Sequence, residues 1–246
     1  MAKVWGHRGA SGYAPENTME AFALAVEMGA YGIELDVQMS ADGKLVVCHD
    51  ERIDRTSNGS GAIAALSYEK LVQYNYHAGF SAEAFYRLPL LEEVLELLKP
   101  TALHLNIELK CDSLVRYEGM EVKAVQAVRQ AGMEERVIYS SFDHYCLRRL
   151  KYVDPFAKAG ILYEACLYQP WVYAKTLQAT ALHPHYASLF EPLIIDQVHR
   201  EGLEVNTWTV NEPDLMRTLA QKGVDGIITN YPDTALKLLK EIDCLY

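Results

Sequence analysis

The feature that most limits what this chain can fold into is a regular alternation of short apolar runs of strand length with stretches of helical periodicity. The runs are KVWGH (3–7), YGIELDVQ (31–38), HLNIELK (104–110), RVIYSS (136–141), KAGILY (158–163), ATALHP (179–184), EVNTWTV (204–210) and GIITN (226–230). Between them, segments such as NTMEAFALAVEMG, EGMEVKAVQAVRQAG, EPLIIDQVHREG, EPDLMRTLAQKG and PDTALKLLKEI place apolar residues on one helical face. In the first of these Asn17 stands where a helix cap belongs, with Glu20 three residues on and Gly29 as the stop; contact of Asn17 with the site is the secondary reading. Eight strand–helix units in 246 residues predict an α/β fold, a (β/α)8 barrel forming a single domain over 1–246. An open doubly wound sheet is the competing arrangement.

One stretch breaks the alternation. After Gln38 the sequence MSADGKLVVCHDE reads as two extended runs joined by a tight turn near Asp42. Folding back along the second strand would bring His49 opposite Glu34 and Asp36. Residues 51–88, with DRTSNGSGA and the aromatic-rich YNYHAGFSAEAFYRL, give no clean strand–helix unit and are expected to cap the barrel mouth before LPLLEEVLELLK resumes the fold.

The second strand also carries the first chemical signal. In GIELDVQM, Glu34 and Asp36 share one face while Ile33, Leu35 and Val37 share the other. Buried carboxylates need partners, so two on one face of a core strand imply a cation, a hydrogen-bond cage or an open polar cavity. The next strand repeats the pattern with Asn106, Glu108 and Lys110 on one face. Inward-facing polar groups near the carboxyl ends of barrel strands are where such folds build active sites. Glu34, Asp36 and Glu108, with no thiolate among them, form an oxygen donor set suited to one divalent metal ion, Mg²⁺ or Ca²⁺. The plainer alternative is that each acid pairs with Arg8, Arg52 or Lys110.

HRGASGYAPENT puts His7 and Arg8 directly after the first strand, on the same end of the barrel. His7 and His49, flanking a divalent cation, suit general acid and general base work near neutral pH. Arg8 and Lys110 add positive charge for an anion, a set that suits phosphate ester chemistry. The formal net charge of -10 and the lack of any basic cluster argue against nucleic acid or an anionic membrane as partner. With no long apolar run, and no basic segment leading into one at the start, the expectation is a cytoplasmic protein with a small-molecule substrate. Self-association is left open. Cys48, Cys111, Cys146, Cys166 and Cys244 are scattered and odd in number, as befits reduced thiols.

Taken together, HRGASGYAPENTMEAF, GIELDVQMSADGKLVVCHDERIDRT, NIELK, SSFD, NTWTVN and GVDGIITNYP, in that order and over nearly the whole chain, resemble a bacterial glycerophosphodiester phosphodiesterase. The resemblance implies a (β/α)8 barrel with a small insertion after the second motif, hydrolysing glycerophosphodiesters to glycerol 3-phosphate and an alcohol. It maps the catalytic histidines onto His7 and His49, the metal-binding carboxylates onto Glu34, Asp36 and Glu108, and phosphate contacts onto Arg8 and Lys110; it also implies that Phe142 and Trp208 stand near the substrate. Asn230 departs from the pattern, since many relatives carry Asp there. A phospholipase D-like enzyme acting on lysophospholipids and a non-catalytic metabolite-binding barrel are the competing readings.

Overall fold

The computed structural model describes residues 2–111 and 116–243 of the chain. Among them the order is β1 (Lys3–His7), α1 (Met19–Glu27), β2 (Gly32–Met39), β3 (Leu45–Val47), α2 (Tyr68–Leu71), α3 (Leu91–Leu98), β4 (His104–Leu109), α4 (Met120–Ala131), β5 (Val137–Ser141), α5 (His144–Val153), β6 (Lys158–Tyr163), α6 (Pro170–Thr176), β7 (Ala181–Pro184), α7 (Ile194–Arg200), β8 (Glu204–Thr207), α8 (Pro213–Gln221), β9 (Gly226–Thr229) and α9 (Pro232–Asp243). The strands hydrogen-bond in the order β1-β9-β8-β7-β6-β5-β4-β2-β3, and β1 also pairs with β2. That extra pairing closes a ring of parallel strands, so the molecule is a (β/α)8 barrel and not an open sheet. β3 stands outside the ring, antiparallel to the end of β2 through Val37 and Val47, as the turn at Asp42 implied.

The alternation read in the sequence has its physical outcome in two layers. Ile33, Leu35 and Val37 of β2 and Leu105, Ile107 and Leu109 of β4 are fully buried outward, against helix residues such as Phe22, Leu91 and Leu95. Each such side chain contributes about 2 kcal/mol by leaving water. The opposite faces turn into the barrel, where Trp5, Ile138, Ala181 and Ile228 form a separate small cluster. Residues 51–88 have an apolar cluster of their own, in which Ile53, Ile63, Leu71, Tyr76 and Leu88 pack on Val46 and Cys48 of the hairpin. Tyr74, Tyr76 and Tyr86 are absorbed in that packing.

Two details differ from expectation. β8 ends at Thr207, so Trp208 lies just past its carboxyl end. The helix cap of α1 is Thr18, whose hydroxyl accepts from the Ala21 amide at 3.3 Å. Asn17 instead has φ +58, the left-handed region that asparagine tolerates, and its side chain turns into the barrel mouth. A buried carboxylate offers its amide a stronger partner than a helix end that threonine can satisfy.

His183 gives the interior a pH dependence. It is 1% exposed, its Nε2 lies 3.2 Å from Asn206 Nδ2, and Gly160 makes room, since a Cβ there would come within 2.4 Å of the ring. Burial lowers its pKa to about 3. The unfolded chain takes up a proton below about pH 6.5 that the folded chain refuses. Stability from the neutral ring is therefore complete above that pH and is lost as pH falls toward 3. Denaturant unfolding is expected to lose roughly 2 kcal/mol between pH 7 and pH 5 from this group, at about 1.4 kcal/mol per pH unit. His183→Gln should abolish that increment, and an unchanged slope in the variant would rule His183 out as its source.

Four cysteines, Cys48, Cys111, Cys146 and Cys166, are free thiols, the first three buried. Cys244 lies outside the described residues. No described helix is long and apolar enough to cross a membrane.

Candidate active site

Strand register assembles the site. In adjacent strands His7 pairs with Glu34, Glu34 with Asn106, and Asp36 with Glu108. Polar residues two apart on one face therefore stack beside those of the neighbouring strand, at the carboxyl end of the ring. Glu34, Asp36 and Glu108 are all buried, and a carboxylate oxygen from each lies within 4.8 Å of the others.

The surrounding cations are divided unevenly among the acids. Arg8 Nε lies 3.3 Å from Asp36 Oδ2, and Asn17 Nδ2 donates to the same oxygen at 2.9 Å. Lys110 Nζ donates to Glu108 Oε1 at 2.8 Å and lies 3.9 Å from Asp36 Oδ1. Glu34 Oε2 accepts from the backbone amide of Arg8 at 2.9 Å, a contact made by a residue held at φ +55. Gly9 continues that turn at φ +85, where a Cβ would sit 2.6 Å from the Ala21 carbonyl carbon. Arg52, the other candidate partner, pairs with Asp54 instead.

The consequence is a carboxylate set short of positive charge. Burial favours protonation of Asp36, but Arg8, His49, Lys110 and the Asn17 amide outweigh it and hold the group well below the usual carboxylate range. Burial, then the charge of Asp36, pushes Glu108 up to about 7 despite Lys110. Burial and the charges of Asp36 and Glu108 push Glu34 well above its ordinary value. Asp36 Oδ1 has no hydrogen-bond partner among the described residues. Three buried oxygen donors, two of them reluctant to ionise and one with an oxygen that accepts no hydrogen bond, fit a divalent cation.

Both histidines are held from behind. His7 Nδ1 lies 2.7 Å from Asn230 Oδ1, and His49 Nδ1 lies 2.6 Å from Asp50 Oδ1. Each holder atom is an acceptor, so each Nδ1 carries a proton and each Nε2 is left for chemistry. His7 Nε2 stands 4.0 Å from Glu34 Oε2. Burial and the neighbouring Arg8 lower the His7 pKa to about 4. The hairpin fixes His49 through the Cys48 amide on the Asp36 carbonyl at 2.9 Å and through Gln38 Nε2, which donates to the His49 carbonyl at 2.8 Å. Tyr117 in turn donates to Gln38 Oε1.

A cavity of about 70 Å³ opens on this set, lined by His7, Arg8, Glu34, His49, Glu108 and the aromatics Phe142 and Trp208. Asp36 and Lys110 are buried and do not line it. Phe142 and Trp208 meet edge to face with ring centroids 5.5 Å apart, and the Trp208 indole donates to the His183 carbonyl at 2.8 Å. Trp208 is thus fixed in place, while Phe142, 39% exposed, stands at the mouth. Asn106 and Ser140, bonded to each other at 2.9 Å, complete the wall. A roomier cavity of about 310 Å³ lies around Lys3, Trp5, Tyr31 and Glu204, at the other end of the strands and away from this chemistry.

Residues 7–234 match the model of the glycerophosphoryl diester phosphodiesterase family. A glycerophosphodiester phosphodiesterase of Caldanaerobacter subterraneus subsp. tengcongensis is 41% identical over 97% of this chain and 98% of its own length. One from Bacillus altitudinis is 37% identical over 98% of this chain and its full length. Among solved structures, a phosphodiesterase of Oleispira antarctica in complex with the product sn-glycerol-3-phosphate superposes with a TM-score of 0.83 at 26% identity, covering 98% of this chain and 97% of that one.

Proposed function

Since the chain belongs to the glycerophosphoryl diester phosphodiesterase family, we propose that it hydrolyses glycerophosphodiesters, the deacylated phospholipids, to glycerol 3-phosphate and an alcohol, in the cytoplasm and with one divalent cation. One observation carries the reading: two imidazoles held at Nδ1 by Asn230 and Asp50 face one small cavity together with Arg8 and the carboxylates of Glu34 and Glu108. The product bound to the Oleispira protein supports the product class.

Glu34, Asp36 and Glu108 would hold Mg²⁺ or Ca²⁺, which when bound supplies a positive field for the phosphoryl oxygens. Arg8 supplies a second positive charge at the cavity wall, and Lys110 acts from behind by neutralising Glu108. Of His7 and His49, one takes the proton of the attacking oxygen at Nε2 and the other delivers a proton to the departing alcohol oxygen. Trp208 and Phe142 bound the side of the cavity where the glycerol or the alcohol rests. Residues 51–88 form a cap whose packing on the hairpin fixes one wall of the mouth, and the exposed Phe80 and Phe85 are the cap aromatics left to meet a headgroup.

The test is product analysis on a panel of glycerophosphocholine, glycerophosphoethanolamine, glycerophosphoglycerol and lysophosphatidylcholine, with and without divalent metal. Glycerol 3-phosphate and free alcohol should form from the deacylated members. Faster cleavage of the lysophospholipid would move the substrate class, and no cleavage of any member would leave a binding protein.

A further inference from the structure

Arg55 lies in the cap, outside the ring of strands, yet its guanidinium is bound at every face. Nε and Nη2 reach Asp50 Oδ2 and Oδ1 at 2.7 and 3.0 Å, while Nη1 and Nη2 reach Glu16 Oε2 and Oε1 at 2.8 Å each. Asp50 is the holder of His49, and Glu16 is also bonded by Arg8 Nη1 at 2.8 Å. A continuous chain therefore runs from Asp36 through Arg8, Glu16, Arg55 and Asp50 to His49. It joins the loop after β1 to the end of the hairpin and to the cap that continues directly from it.

We infer that Arg55 is a positioning residue for the reaction: by clamping Glu16 and Asp50 together it fixes the carboxylate that orients the His49 imidazole, and it makes correct seating of the cap a condition for turnover. This rests on the role given to His49 above. The geometry favours arginine specifically, because two carboxylates at two edges of one planar fork cannot both be met by a lysine ammonium. The Arg55 side chain is 49% exposed, and ion pairs so open to water contribute little to stability, so what the clamp maintains is geometry.

The experiment is a set of kinetics on the metal-loaded enzyme. Arg55→Ala is expected to lower kcat about 10- to 30-fold with KM within about twofold, Arg55→Lys to recover only part of that, and methylguanidinium added to Arg55→Ala to raise kcat several-fold. In an Asp50→Asn background Arg55→Ala should cost less than about twofold more, because it acts through Asp50. A normal kcat for Arg55→Ala beside a dead His49→Ala would overturn this inference alone, as would full additivity with Asp50→Asn. Near-normal turnover by His49→Ala would overturn the role of His49, and the clamp with it.

Discussion

Enzyme dialysed against a chelator is expected to lose glycerophosphodiester hydrolysis entirely and to regain it on addition of Mg²⁺ or Ca²⁺. The carboxylates of Glu34, Asp36 and Glu108 converge within 4.8 Å, all buried, and the neighbouring cations are already engaged with Asp36 and Glu108. A phosphodiester anion cannot enter beside unneutralised carboxylates, since like charges in a desolvated site repel strongly. Binding should also be visible without turnover, as a rise in Tm with metal concentration, worth about 2.7 kcal/mol when the metal stands at a hundred times its Kd. Glu34→Gln should keep the fold, because it removes a charge that burial already disfavours, while losing both activity and the metal-dependent rise in Tm. Full turnover by protein shown metal-free by elemental analysis would end the metal assignment.

The second large effect belongs to the histidines. His7→Ala and His49→Ala should each lower kcat by roughly a hundredfold or more, the scale on which removal of a positioned acid or base acts. Each ring is held through Nδ1, by Asn230 and Asp50 respectively, and neither belongs to the apolar clusters of the described residues. Thermal unfolding should therefore change little, so that a fall in kcat at unchanged Tm separates lost chemistry from lost fold. A variant retaining near-normal rates would remove that residue from the mechanism.

The barrel was legible because its determinants are local. The period-two alternation of aliphatic and polar residues in GIELDVQM and HLNIELK survives into strands buried on both faces, aliphatics outward and acids inward, and the turn in ADGK lands where the hairpin bends. The acids and histidines were legible for the same reason, since a known strand direction converts sequence spacing into a shared face. What escaped was whatever depends on partners distant along the chain. Asn17 read first as a helix cap and only second as a site contact, because its bond to Asp36 is not a local pattern. Nothing near Arg55 announces Glu16, thirty-nine residues away, and nothing near Gln38 announces Tyr117, seventy-nine away. The pairing of Lys110 with an acid was open from the sequence as the plainer alternative, and the structure buries it against Glu108, two residues away on the same face. The aromatic-rich stretch of the cap read as a segment packed largely on itself, and Tyr74, Tyr76 and Tyr86 do fill the cap.

Ring closure between β1 and β9 has a temporal meaning. His7 ends the first strand, and Asn230, which holds its Nδ1, follows immediately on the last. A chain growing from the ribosome thus has its three carboxylates and both imidazoles long before the residue that orients one of them has been synthesised. The partner of His7 arrives with the final stave, together with the seam that seals the barrel. A chain clipped before β9 would keep all three carboxylates and both imidazoles and lack the partner of the His7 Nδ1.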